Sequence, residues 1–187
     1  AGFIIVPKIT EDKKQIHISF DDGYLGLYEN IDVISELNVP IEVFVSTSFL
    51  NTNQYMTKSQ LSDLASSRLI IISSHSHTHS RLDMFSLYNL EYDLKKSKDI
   101  LEDIISSNVN NLAYPFGKFS PAVIDVASKI GYINQFSSIP GPFFSELFPD
   151  VKRRSLVQDL SGRYFYAVLK GGDNMLSSWY FKKHFSL

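Results

Sequence analysis

Short apolar runs alternate with helix-period patterns along most of this chain, and three of the runs end on polar clusters. Residues 15–20 read as a strand, because Ile16, Ile18 and Phe20 alternate with polar neighbours. Leu27, Ile31, Ile34 and Leu37 then recur at helical spacing, and residues 41–45 read as a second strand. Thr57 and Gln60 have the form of a capping box that opens a short helix. The unbroken apolar run 69–72 suits a strand covered on both faces. Leu87, Leu90, Leu94, Leu101 and Ile104 mark a long helix. Ser120-Pro121 and Gly131 bracket another over 121–130, after which 131–137 returns as a strand. This alternation predicts parallel strands joined by crossover helices. Ser19-Phe20-Asp21-Asp22-Gly23 ends the first run, Ser73 to His79 follows the run at 69–72, and Tyr114-Pro115-Phe116-Gly117 follows 111–113. In an α/β barrel or open parallel sheet those carboxyl ends gather in one place. The chain has 187 residues, short of the roughly 250 of a complete eight-unit barrel. The expectation is therefore an α/β fold, a deformed or incomplete (β/α) barrel, as a single domain over 1–187.

Composition removes several classes of function. Lys and Arg number 18 against 20 Asp and Glu, so no basic field draws the chain to nucleic acid. There is no cysteine, which excludes thiol catalysis and Cys-based zinc sites. No apolar run approaches the roughly 18–20 residues of a membrane span, so no transmembrane segment is expected. The start, Ala-Gly-Phe-Ile-Ile-Val-Pro, lacks the basic flank of a signal peptide. A cleaved leader would leave the same start, so cytoplasmic and exported placement are both compatible with it.

The polar clusters have the residue types of a metal-assisted hydrolase. Asp21 and Asp22 are adjacent carboxylates at a turn, where neighbours can splay into one pocket with different tasks; a plain polar turn would also end in Gly23. Three of the five histidines lie within five residues. On an extended backbone His75, His77 and His79 share a face, whereas on a helical turn only His75 and His79 do. Two His and one carboxylate form a catalytic zinc set that leaves a position open for water. Zinc lowers the pKa of that water from about 15.7 to about 7, which at about 1.36 kcal/mol per unit is on the order of 12 kcal/mol. A nearby carboxylate can then take the proton as the water attacks a carbonyl.

Ser19-Phe20-Asp21-Asp22-Gly23, His75-Ser76-x-x-His79 and Tyr114-Pro115-Phe116-Gly117 together resemble the polysaccharide deacetylases, the NodB-homology domain of carbohydrate esterase family 4. The resemblance runs from about residue 15 to about residue 138. It implies a NodB-like deformed barrel, a divalent metal (zinc before others) and removal of acetyl groups from an N-acetylated sugar or polysaccharide. By that resemblance Asp21 is the catalytic base, and Asp22, His75 and His79 are the metal ligands. Ser76 would support the His loop, and the backbone N–H of Phe116 would help hold the oxyanion. A metal-bound water would attack the amide carbonyl.

Two positions depart from the pattern. Many members carry an Arg, which tethers the base, at the position of Ala113; a Tyr-Pro-Phe-Gly branch shares its loss. Arg153 or Arg154 could supply the charge from a later strand, and Arg154 is preferred. The late Leu-x-His motif with the general acid is not visible. Of the remaining histidines, His17 is expected to be a packed or surface residue on the first strand, and His184 to lie in a solvated tail. Trp179, Tyr164, Phe165 and Tyr166 are assigned to core packing ahead of a sugar platform, and Lys95, Lys96 and Lys98 to the wet face of the long helix. The alternatives are a hydrolase of a non-sugar amide on the same scaffold and a catalytically inactive glycan-binding module, the latter favoured by Ala113 and the missing motif. A third, an amidohydrolase barrel using His75-x-His77, would need downstream histidines that this chain hardly has.

Overall fold

The computed structural model describes residues 2–11, 14–144, 150–158 and 161–186. In chain order the strands are β1 (Ile4–Ile5), β2 (Gln15–Ile16), β3 (Ser19–Phe20), β4 (Ile41–Val45), β5 (Ile70–Ser74), β6 (Asn111–Ala113), β7 (Asn134–Phe136) and β8 (Val151–Lys152). The α-helices are α1 (Leu25–Glu29), α2 (Ile31–Glu36), α3 (Lys58–Ala65), α4 (Leu87–Ile105), α5 (Pro121–Ile130), α6 (Gly162–Leu169) and α7 (Ser177–His184). Six strands, β3 to β8, pair in sequence order and all in parallel. A parallel sheet wound in one direction places its helices on one face and curls toward closure. Among the described residues it has six strands, a half-barrel.

Two boundaries differ from the sequence reading. Residues 15–20 do not form one strand: β2 pairs with β1, and β3 pairs with β4. The break falls at His17–Ile18, where the chain leaves the small two-stranded sheet for the barrel. The helix expected over 27–37 is split at Asn30 (φ −114°, ψ 21°), whose side-chain amide donates to the Gly26 carbonyl at 2.7 Å. That local bond offers the backbone an alternative to the helical ladder.

Side chains of β4 show how the sheet sorts its two faces. Ile41, Val43 and Val45 pack in the main core with Leu61 and Leu64 of α3, Leu90, Leu94 and Leu101 of α4, and Val123 and Ala127 of α5. Phe44 packs on the other side with Ala113 and Phe136. Glu42, two residues before Phe44, shares that interior face. The Glu42 carboxylate is buried and accepts bonds from the Ser73 hydroxyl and from Asn111 Nδ2, and lies 3.0 Å from His17 Nε2. A buried charge is tolerable only with such partners. His17 is thus a packed residue, held at the end of the sheet away from the polar loops. Among the described residues no helix is long and apolar enough to cross a membrane.

Candidate metal centre and active site

Asp21 and Asp22 follow β3 directly. The backbone turns at Asp22 (φ +74°) and Gly23 (φ +83°), both left-handed, so the two carboxylates leave the strand in different directions. Gly23 is needed for this conformation and for its contact with β4, since a Cβ there would stand 3.2 Å from Val45 Cγ1.

The histidine loop follows β5. Ser76 (φ +66°) and His79 (φ +53°) are also left-handed, which makes the segment a compact turn rather than an extended strand. His75 and His79 therefore converge, and His77 turns away to pair its Nδ1 with Thr47 Oγ1 at 2.8 Å. Ser76 Oγ accepts the His79 N–H at 3.1 Å, and Ser97 of α4 donates to the Ser76 carbonyl at 3.0 Å. The turn is further held by Asp93, a residue the sequence reading missed. This carboxylate, 2% exposed, accepts the N–H groups of His77 (2.8 Å) and Thr78 (3.0 Å) and the Thr78 hydroxyl (2.6 Å). The signal was present: Asp93 and Ser97 interrupt the Leu90–Leu94–Leu101 stripe at positions the helical period buries. A fixed loop is the support that metal-site ligands require, and losing such support typically costs 10–100-fold in affinity. Asp93→Asn is expected to weaken zinc binding by about that factor, read by competitive titration with a fluorescent chelator. Unchanged affinity would assign Asp93 to folding alone.

One ligand atom from each of Asp22, His75 and His79 lies within 4.8 Å of the other two. Asp22 Oδ1 is 3.0 Å from His79 Nε2 and 3.4 Å from His75 Nε2. His75 Nδ1 lies 2.8 Å from the Ala113 carbonyl, which can only accept, so this nitrogen carries the proton. Burial lowers the His75 pKa below its usual value and so favours the neutral ring. A neutral His75 then presents the Nε2 lone pair to a carboxylate oxygen. That oxygen, Asp22 Oδ1, is itself buried without an aligned hydrogen bond. Lone pairs facing one another around an orphaned anionic oxygen repel unless a cation lies among them. Two imidazole nitrogens and a carboxylate oxygen suit zinc or a similar divalent ion. Burial would raise the Asp22 pKa, but the contact with His79 outweighs it and leaves it lowered.

Asp21 is held differently. Arg154, just beyond β8, donates Nη1 to Asp21 Oδ1 at 2.7 Å and Nη2 to Oδ2 at 2.8 Å. The same guanidinium donates to Ser19 Oγ at 3.1 Å and to the Ser137 carbonyl at 3.2 Å, and lies 5.0 Å over the Phe44 ring. Ala113 and Phe136 pack with Phe44 in the same cluster. Arg153 turns to Gly141 instead. Burial pushes the Asp21 pKa up, yet the Arg154 charge and hydrogen bonds hold it below the usual carboxylate value. Asp21 Oδ2 stands 3.9 Å from His75 Nε2, beside the donor set.

Phe116 lies in the turn Pro115–Gly117 after β6, with φ +58°. The N–H groups of Gly117 and Lys118 bond to Tyr114 and Pro115 carbonyls, whereas that of Phe116 has no bond among the described residues. Its ring, 55% exposed, lies 4.8 Å from the His79 ring. From there a chain of ring contacts runs through Phe49 to Tyr55 and Tyr24.

Three expectations need correction. His184 is not in a solvated tail: it is buried at 6% exposure, because α7 folds back onto the 117–119 segment. Trp179, Tyr164, Phe165 and Tyr166 do not pack in the core; all four are exposed. Tyr180, Phe181 and Phe185 supply the core contacts at that end of the chain. Lys98 leaves the wet face and donates to the Val109 carbonyl.

The sequence model of the polysaccharide deacetylase family matches residues 8–134. This chain belongs to that family. A Bacillus subtilis (strain 168) protein, YxkH, named provisionally as a polysaccharide deacetylase, is 24% identical over 138 residues, covering 71% of this chain and 49% of its own. The chain thus spans about half the length of that curated relative. The structure of a polysaccharide deacetylase from Bacillus cereus superposes with a TM-score of 0.79 at 21% identity, over 90% of this chain and 57% of the other. A Bacillus anthracis protein described as a carbohydrate esterase family 4 pseudoenzyme gives a TM-score of 0.60 at 16% identity, over 69% and 44%. The half-barrel is therefore the fold of this family, and the family's fold accommodates both active and inactive sites.

Proposed function

We propose that this domain removes acetyl groups from an N-acetylated glycan by metal-dependent hydrolysis. The observation that carries the reading is the convergence of Asp22, His75 and His79 beside a second carboxylate, Asp21, that is spared for other work. Asp22, His75 and His79 would hold the ion, which when bound polarises the amide carbonyl and acidifies water. Asp21, kept ionised by Arg154, accepts a proton as water oxygen bonds to the acetyl carbon. The Phe116 N–H donates to the oxyanion that forms there, the kind of contact worth about 10²–10³ in rate. When the carbon–nitrogen bond breaks, the proton on Asp21 is placed to pass to the departing amine, giving acetate and a free amino sugar. The bidentate geometry of Arg154 fixes the direction of this carboxyl. The exposed rings of Phe116 and Tyr24 flank the site and offer apolar faces to a sugar ring, which favours a glycan over a small free amide.

Arg154 meets one of the two grounds for an inactive glycan-binding module. Those grounds were Ala113 and the missing Leu-x-His motif, and Arg154, just beyond β8, tethers Asp21 in place of an Arg at 113. The test is acetate release by the zinc-loaded protein from N-acetylglucosamine oligomers, set against a panel of non-sugar amides. Acetate from the oligomers is the expected result. Turnover confined to the non-sugar amides would move the function to that class, and no turnover with zinc bound would leave the binding module.

A further inference from the structure

His184 is the last residue of α7, some fifty residues beyond the end of the family match. Its ring is buried, and neither ring nitrogen has a hydrogen-bond partner among the described residues. One face stacks on Tyr180, with ring centroids 5.5 Å apart. Gly117 lies against the ring: a Cβ there would stand 2.6 Å from His184 Nδ1 and 2.8 Å from Ser138 Cβ. Gly117 is also left-handed (φ +65°), so its lack of a side chain serves both the turn and this contact. The segment around His184 is sewn to the same loop. Phe119 N–H donates to the His184 carbonyl at 3.0 Å, Ser186 N–H to the Phe119 carbonyl at 2.9 Å, and Lys118 Nζ to the Lys183 carbonyl. Ser186 Oγ donates to Asp83 at 2.8 Å, which ties the end of the chain to the segment after the histidine loop.

A non-Gly residue at φ +58° beside a Gly at φ +65° is a conformation the local sequence does not secure alone. Something packed against the turn must hold it. We propose that His184 is a positioning residue of the active site: its imidazole wedges against the Phe116–Gly117 peptide and fixes the direction of the Phe116 N–H. The groups that bear on the ring are the backbones of Gly117 and Phe116 and the Lys118 and Lys183 charges; burial, aided by the two lysines, lowers the imidazole pKa and favours the neutral ring. Being enclosed, His184 acts on the turn and not on the substrate. A segment of the chain beyond the family match thus completes the oxyanion site. This rests on the deacetylase reading for the task of the Phe116 N–H, though not for the packing itself.

The test compares the zinc-loaded parent with His184→Ala, His184→Gln and, as a control on the same helix, Lys182→Ala. Hydrogen exchange of the 114–119 segment is read by mass spectrometry, and acetate release from N-acetylglucosamine oligomers gives kcat and KM. For His184→Ala the expectation is faster exchange confined to that segment, with zinc content unchanged. Its kcat should fall at least tenfold with KM within about twofold, the pattern of an interaction made only in the transition state. His184→Gln, which keeps a planar polar group, should recover part of both, and it carries the test if His184→Ala fails to fold. Unchanged exchange at 114–119 would overturn the proposal, as would a rise in KM with kcat preserved. If the parent releases no acetate, the deacetylase reading fails, and the exchange arm still decides whether His184 holds the turn.

Discussion

Asp22→Asn is expected to empty the metal site. The substitution keeps the size of the side chain and a residue type that tolerates φ +74°, so the turn should survive. It removes the only anionic donor of the set and leaves at most a neutral amide oxygen between the two imidazoles. Measured by elemental mass spectrometry after zinc loading and dialysis, the parent should hold about one zinc per chain and the variant almost none. Stability should report the same difference. At a free zinc concentration about 100-fold above its dissociation constant, the parent gains about 2.7 kcal/mol against unfolding. Asp22→Asn should gain little, so its unfolding midpoint should be insensitive to zinc. Equal zinc content in the two proteins would show that the Asp22, His75 and His79 set is not the binding site.

Asp21→Asn should give the opposite pattern: zinc retained, turnover nearly lost. Asp21 contributes no close contact to the donor set beyond 3.9 Å from His75, and its own oxygens are occupied by Arg154. An amide there cannot accept the proton from the attacking water. Removing a positioned general base costs about 10²–10⁴ in rate, and kcat should fall by that amount while KM moves little. A variant with full activity would remove Asp21 from the base role and turn attention to another acceptor. A variant that loses zinc as well would place Asp21 among the ligands. The two substitutions are one residue apart, so their contrast separates holding the ion from moving the proton.

Local signals carried much of the architecture. The capping box at Thr57 and Gln60 is formed as the spacing implies, with Thr57 accepting from the Gln60 N–H at 3.2 Å. Helix α5 runs over Pro121–Ile130 between its Ser120 and Gly131 caps. These devices act within a few residues, and a short window contains all their parts. The partner change at His17–Ile18 was not legible in the same way, because alternation gives strand character without saying which neighbour the strand will pair with.

The candidate site divides along the same line. The two aspartates and the histidine pair stand at the ends of strands whose positions the sequence shows, and a parallel sheet brings such ends together whatever its details. The choice between His77 and His79 needed the actual turn, because it depends on left-handed Ser76 and His79 and on Asp93, from a helix packed alongside, holding the His77 and Thr78 N–H groups between them. The pairing of Asp21 with Arg154 spans 133 residues, and the seat of His184 against Gly117 spans 67. Nothing local marks either contact. The sequence by itself determined the order of strands and helices and the inventory of acids, imidazoles and glycines at the strand ends, since propensity, period and capping are short-range. Only the tertiary structure decided which charge pairs with Asp21 and which ring packs against Gly117, because those partners meet only when the sheet curls and α7 folds back onto the 117–119 segment.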